Sequence, residues 1–131
     1  MNPYSKADMA QFIVVTAKEQ YSVSGLAGDR QAGLLWEALE VLAEHKEIGP
    51  EQLSRAQEQL EKERQDTHAG RKPRKLTYRP PKAKIRQTTE WLQAVDKRLG
   101  GHPALQGAQA FLKDYWLTAL TRNHRHRAPS I

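Results

Sequence analysis

The sequence predicts an all-α protein, a small helical protein of about five helices in which two helical units are joined by an extended basic arm. Three observations lead to this fold class. Apolar residues recur at three- and four-residue spacing in five segments, strand-like alternation is nearly absent, and glycine or proline separates the segments. The chain has 131 residues, of which 38% are hydrophobic. We therefore expect a domain-sized protein with a thin core.

The first helix is expected over about Ser5–Val23. Its buried face is predicted from residues at helical spacing, namely Met9, Ile13, Thr16, Ala17 and Tyr21. The segment SGLAG that follows contains two glycines, and glycine readily ends a helix. The first helix should therefore end near residues 24–28.

The second helix is predicted to begin at Asp29, whose carboxylate can cap it, and to end at Gly49. Its apolar stripe consists of Leu35, Ala38, Leu39 and Leu42. Four carboxylates recur on another side, at Glu37, Glu40, Glu44 and Glu47. We expect this acidic face to be ordinary solvated surface. The alternatives are a magnesium site, a surface for a basic partner, and a surface that screens the protein's own basic arm.

The third helix is expected to start at Pro50, because proline suits the first helical position. Only Leu53, Ala56 and Leu60 can face a core. Residues 61–68 contain no large apolar side chain, so they gain little from packing. This polar end of helix three is predicted to be exposed unless a partner covers it.

The fourth helix is predicted to begin with Thr88 as its cap and to end at Gly100, and Pro103 then opens the fifth. The last residues, 123–131, form a polar, basic tail that we expect to be flexible. The predicted organisation is an acidic N-terminal helical unit (1–67), a basic, proline-containing arm or linker (68–87), a C-terminal helical hairpin (88–122) and the tail (123–131).

Charge is divided unevenly along the chain. Residues 1–67 contain seven Lys or Arg and twelve Asp or Glu, a net charge of −5. Residues 68–131 contain fourteen basic and three acidic residues, a net charge of +11. Within the second part, residues 71–86 hold eight cations and no carboxylate. Such a segregated positive charge predicts a polyanionic partner, with nucleic acid ranked first.

The basic arm and tail are the predicted nucleic-acid contacts. Arginines can offer paired hydrogen bonds to phosphate, whereas lysines act as point charges, so we expect backbone contact more than base recognition. The predicted contact residues are Arg71, Lys72, Arg74, Lys75, Tyr78, Arg79, Lys82, Lys84, Arg86, Arg122, Arg125 and Arg127. If the fourth and fifth helices form a hairpin, the arm and the tail should emerge at the same end and frame one groove.

The role of Tyr78 and the order of the whole arm each leave alternatives open. The ring of Tyr78 could stack on an unpaired base, or Leu76, Tyr78 and Ile85 could dock the arm on the helical body. The whole arm could also be an unstructured linker whose charge keeps it soluble. Residues 70–75, GRKPRK, resemble in outline an AT-hook, although Lys72 interrupts the Gly-Arg-Pro of that motif.

Catalysis is not predicted, because no nucleophile with a base, no phosphate-binding glycine loop and no paired carboxylates at a plausible site occur. No cofactor or metal is predicted: cysteine is absent, and arginines flank His124 and His126. The longest apolar run, Phe12–Val15, cannot span a membrane, and no signal peptide is recognisable. We expect a cytoplasmic location, with nucleus or nucleoid as alternatives.

The sequence thus predicts a non-catalytic nucleic-acid-binding accessory protein, a small subunit of a larger nucleoprotein assembly. DNA and RNA are both candidate ligands. Protein partners are also expected, and they would contact Trp36 and the polar end of helix three. The alternative is a helical protein–protein interaction adaptor whose basic arm grips an acidic protein surface.

Overall fold

The computed structural model describes residues 4–74 and 78–127, with the last eight of these described only as helical backbone. The α-helices are α1 (Lys6–Ser24), α2 (Asp29–Glu44), α3 (Pro50–His68), α4 (Lys82–Arg98) and α5 (Pro103–Arg127). A short 3-10 helix, Gly25–Gly28, lies between α1 and α2. Within the described ranges the chain contains no β-strand. The predicted all-α class is confirmed.

The 3-10 helix joins α1 directly to α2, with no non-helical residue between them. The described residues therefore form four uninterrupted helical stretches: 6–44, 50–68, 82–98 and 103–127. Gly25 has a positive φ of 59°, a conformation that glycine adopts readily. A Cβ atom at Gly28 would lie 2.1 Å from the carbonyl oxygen of Gln20. The second glycine of SGLAG is therefore required for the close approach of α2 to the end of α1.

The helix starts follow local rules, with two exceptions. Ser5 and Asp8 form a capping box at α1, and Pro50 is the first residue of α3. The predicted cap at Asp29 is wrong, because Asp29 is itself the first residue of α2 and its carboxylate lies 2.8 Å from Nε2 of His68. Thr88 is also not a cap, since it is completely buried inside α4.

One hydrophobic cluster includes residues from all five α-helices, and its fully buried members include Phe12, Leu39, Leu60, Leu92 and Leu112. α4 packs on α5, α5 packs on α2, and α1 contacts α2, α3 and α4. The two predicted helical units therefore share one core.

Trp116 connects α5 to α1 at the centre of this core. Its side chain is fully buried, and its Nε1 donates a hydrogen bond of 3.0 Å to Oγ1 of Thr16. The Thr16 hydroxyl in turn donates to the carbonyl oxygen of Phe12 at 2.9 Å. The polar atom of the indole is thus satisfied in an apolar environment, as a buried donor requires.

The boundaries of the predicted arm and tail need correction. α4 begins at Lys82 because Pro81 stands just before the helix, where proline is tolerated, and because buried Ile85 extends the apolar stripe of the helix. The segment between α3 and α4, here called the connector, comprises residues 69–81. α5 continues through residue 127, so residues 123–127 are helical, and residues 128–131 lie outside the described ranges.

The polar end of α3 does not lead away from the body. Thr67 is buried, and the side chain of Glu63 is 16% exposed. This end of α3 packs against α1 and the 3-10 helix. The expected exposure is seen at Lys62, Gln65, Asp66 and His68. It is wrong at Glu63 and Thr67, because Arg71 of the connector supplies a partner that the local sequence does not contain.

Candidate nucleic-acid interface

The connector contacts the helical body on both sides of residues 75–77, which lie outside the described ranges. The backbone N–H of Arg74 donates to the carbonyl oxygen of Ser22, near the end of α1. Farther along, Tyr78 packs on Trp116, and Nζ of Lys84 lies 5.3 Å from the centre of the Tyr4 ring. The described cations of the basic segment therefore lie close to points of attachment to the body.

Arg71 is held by carboxylates of α3. Its Nη2 lies 2.7 Å from Oε2 of Glu63, and its Nη1 lies 3.8 Å from Oδ2 of Asp66. Nη2 also donates to the hydroxyl oxygen of Thr67 at 3.3 Å. The Arg71 side chain is 25% exposed. Its charge is thus largely offset within the protein.

Arg74 shares a partner with Arg71. Nη2 of Arg74 lies 3.3 Å, and Nη2 of Arg71 3.5 Å, from the hydroxyl oxygen of Ser22, to which both donate. We call the group formed by Arg71, Arg74, Ser22, Glu63 and Asp66 the arginine clasp. It joins the connector to α1 and α3, although the sequence analysis assigned both arginines to phosphate contacts.

Glu19 lies beside this clasp. Burial raises the pKa of its carboxyl group, and the negative charge of Glu63 raises it further. The positive charge of Arg74 opposes this shift, but the net pKa remains above the ordinary value. Glu19 and Glu63 therefore repel each other beside the clasp, and the positive charge of Arg74 offsets part of this repulsion.

Tyr78 is half-buried and meets Trp116 edge to face, with ring centroids 5.5 Å apart and an interplanar angle of 82°. Burial raises the pKa of its phenol, with smaller contributions in the same direction from Tyr4 and Glu19. Among the residues expected to dock the arm, Tyr78 and Ile85 contact the core, and Leu76 lies outside the described ranges. A role for Tyr78 in base stacking stays a prediction.

The remaining predicted cations of this region are mostly exposed. Lys72, Arg79 and Lys82 are exposed and form no ion pair within the described part of the chain. Arg86 is exposed and lies 4.0 Å from a carboxylate oxygen of Glu90, a long contact between two solvated side chains. Lys84 is half-buried over Tyr4, and Lys75 lies outside the described ranges.

The exposed face of α4 carries a further cation that the sequence analysis did not select. Lys97 is exposed and follows Arg86 by eleven residues, which is about three helical turns. Lys82, Arg86 and Lys97 therefore share one face of α4. Helical spacing would have indicated Lys97, but the predicted set was limited to the arm and the tail.

The tail arginines are placed by the backbone of α5. Arg122, Arg125 and Arg127 lie in its last turns, and their side chains are outside the description. Arg122 follows Trp116 by six residues, or about 9 Å of helix. Since Tyr78 packs on Trp116, the connector meets α5 shortly before these turns.

The predicted four-carboxylate face of α2 is wrong at Glu47. Glu37, Glu40 and Glu44 are exposed, whereas Glu47 follows the end of α2, and its side chain is 8% exposed. Among the residues that the structure describes, no group of three or more His, Asp or Glu side chains is arranged to hold a metal ion.

Glu47 is the centre of a second ionic site, the Glu47 junction, which also includes Lys6, Trp91 and Arg98. Nζ of Lys6 lies 3.1 Å from Oε1, Nε1 of Trp91 donates to Oε1 at 2.9 Å, and Arg98 donates to Oε2. Burial alone would raise the pKa of Glu47, but the hydrogen bonds from Trp91, Lys6 and Arg98 outweigh it and lower the pKa. This carboxylate is therefore a structural ion.

Trp36 is half-buried at the edge of the core and borders an open groove of about 750 Å³ between α2 and α3. The groove is otherwise lined by polar side chains of α3, namely Ser54, Gln57, Glu58, Glu61, Lys62 and Gln65. The two regions predicted to contact protein partners, Trp36 and the polar side of α3, thus adjoin one another.

The fold and these surfaces define an all-helical protein with a cationic surface built from the connector and α4. Comparisons with protein-family models, with curated proteins and with solved structures found no match. None of the helices in the described ranges combines the length and the hydrophobicity needed to cross a bilayer.

Proposed function

We propose that the protein is a non-catalytic nucleic-acid-binding accessory protein and a small subunit of a larger nucleoprotein assembly, acting in the cytoplasm. The observation that carries this proposal is the succession of Arg79, Lys82 and Arg86, which are exposed and, among the described residues, have the 4.0 Å contact of Arg86 with Glu90 as their one ion pair. Solvated cations in close succession attract a polyanion, and only this long, exposed contact would have to open.

Phosphate contact accounts for the affinity in this proposal. Arg79 and Arg86 can each donate two hydrogen bonds to a phosphate, while Lys72, Lys82 and Lys97 supply charge. Arg122, Arg125 and Arg127, in the last turns of α5, are proposed as further phosphate contacts. Four to six such contacts with duplex DNA would make log K fall with log salt at a slope of roughly −4 to −5. Little sequence preference is expected, because phosphates carry no sequence information.

A salt series tests this proposal with mixed-sequence duplex and single-stranded probes. The triple variant Arg79→Gln, Lys82→Gln, Arg86→Gln should weaken binding at least about tenfold and flatten the salt slope by about two to three units. The matched control removes three exposed cations from the acidic part of the chain, by Arg30→Gln, Lys46→Gln and Arg55→Gln. Equal losses in the two variants, or no binding by the wild type at low salt, would refute the proposal.

The competing function is a helical interaction adaptor whose basic segment grips an acidic protein surface. The open groove at Trp36 favours it, because a half-exposed indole beside polar side chains is suited to a protein contact. This function predicts negligible binding to DNA and RNA even at low salt. It also predicts that Trp36→Ala abolishes partner binding.

A further inference from the structure

The arginine clasp divides the basic segment into neutralised and free cations. Arg71 lies against Glu63 and Asp66, whereas Lys72 and Arg74 are exposed and form no ion pair within the described ranges. A phosphate that reaches Lys72 would be one residue from Arg71 and two residues from Arg74. Arg71 would then bind either the phosphate or the carboxylates of Glu63 and Asp66.

Different groups position and neutralise the clasped arginines. The backbone N–H of Arg74 and the hydroxyl groups of Ser22 and Thr67 fix their place on the body through neutral hydrogen bonds. Glu63 and Asp66 supply the negative charge. Replacing these two carboxylates by amides should therefore leave both arginines in place, while the charge of Arg71 is no longer offset.

We propose that Glu63 and Asp66 compete with nucleic acid for Arg71, so that the clasp is a built-in electrostatic brake on binding. This inference rests on the proposed function and concerns the regulation of the same surface. The carboxylates that screen the basic segment lie on α3, and not on the acidic face of α2. Partly exposed ion pairs exchange partners readily, and phosphate accepts the same forked hydrogen bonds as a carboxylate.

The test compares two double variants of the full chain that gain the same net charge. Glu63→Gln with Asp66→Asn opens the clasp, and Glu37→Gln with Glu40→Gln removes two exposed carboxylates on α2. With a mixed-sequence 20-base-pair DNA duplex as the probe, the clasp variant should bind about 5- to 30-fold more tightly than the control. Its salt slope should be steeper by up to about one unit, for the released charge of Arg71.

The possible outcomes separate this inference from the proposed function. If the wild type shows steep salt-dependent binding but the clasp variant matches or falls below the control, the brake is refuted and the clasp is structural. If neither the wild type nor the clasp variant binds at low salt, both ideas fail. If the wild type does not bind but the clasp variant does, the brake is supported.

Circular dichroism must show that the clasp variant keeps its helix content. Should the double variant not fold, Asp66→Asn alone replaces it, because that side chain is 49% exposed and contributes less to packing. Glu40→Gln is then the control. Tighter binding than the control and a slope change of up to about one unit support the brake, and identical curves refute it.

Discussion

The Glu47 junction and the arginine clasp are both ionic sites that connect distant parts of the chain, but they differ in how many donors surround the buried carboxylate. At the junction a carboxylate that is 8% exposed receives three donors, and its cationic partners Lys6 and Arg98 are 57% exposed. In the clasp one guanidinium, that of Arg71, is 25% exposed and lies between Glu63, which is 16% exposed, and Asp66, which is 49% exposed.

This difference between the two sites predicts that one contributes mainly to stability and the other mainly to ligand binding. The carboxylate of Glu47 is 8% exposed and accepts hydrogen bonds from Trp91 and Arg98, so protein donors hold it in place. The guanidinium of Arg71 has solvent access, and an external anion can approach it beside Lys72. We therefore expect Glu47 to affect stability strongly, and the clasp to affect binding more than stability.

The largest effect is expected from Glu47→Gln, which removes the charge that Lys6 and Arg98 share. We expect a loss of about 1–3 kcal/mol in the free energy of unfolding, below the full cost of a broken buried pair because both partners can be hydrated. Urea unfolding measures it, with the exposed Glu44→Gln as the control. A loss no larger than that of the control would show that the junction is not structural.

The same variant has a defined pH dependence. Because the folded protein holds the pKa of Glu47 below its unfolded value, this group contributes stability above the unfolded pKa and loses it as the pH falls through the folded pKa. The difference between wild type and Glu47→Gln should therefore shrink between about pH 7 and pH 3. A difference that is constant across this range would contradict the assignment of a charged Glu47.

A smaller effect on stability is expected from Arg71→Gln, which empties the centre of the clasp. The ion pairs are partly exposed and Thr67 keeps other packing, so the cost should be about 1 kcal/mol or less. Urea unfolding of the Arg71→Gln and Glu47→Gln variants compares their losses in the free energy of unfolding. If Arg71→Gln costs as much as Glu47→Gln, the distinction drawn between the two sites is wrong.

The smallest effect, and one of opposite sign, is expected from Glu19→Gln. Its pKa is raised in the fold, first by burial, so ionisation at neutral pH opposes folding, and the fold gains stability as the pH falls through that raised pKa. The variant should be more stable than the wild type by a few tenths of a kcal/mol at about pH 7. This advantage should disappear in acid. Thermal unfolding of the variant and the wild type, at about pH 7 and in acid, measures this difference in stability. A variant that is less stable than the wild type at about pH 7 would contradict the prediction.

Helical periodicity was sufficient for most of the fold. The stripes that include Ile13, Leu39 and Leu112 are buried as their spacing predicts, because burial follows the 3.6-residue repeat directly. The start of α4 was misplaced because two neighbouring prolines were interpreted as a break. Pro81 in fact precedes the first turn, and the position of Ile85 in the apolar stripe was overlooked.

The candidate site was less predictable than the fold. Local composition located the cations, and the exposure of Arg79, Lys82 and Arg86 agrees with a solvated charged segment. It did not reveal that Arg71 and Arg74 have protein partners, because Ser22 lies 49 and 52 residues away from them. The partners of Glu47 on α4 are similarly distant, 44 and 51 residues along the chain.

The helical class, the apolar faces and the separation of negative from positive charge follow from residue type and spacing along the chain, so they could be predicted before the fold was known. Which charges are neutralised and which remain exposed to solvent depends on how the helices pack. Electrostatic pairing falls steeply with distance and depends on burial, and both are set when helices far apart in sequence pack together.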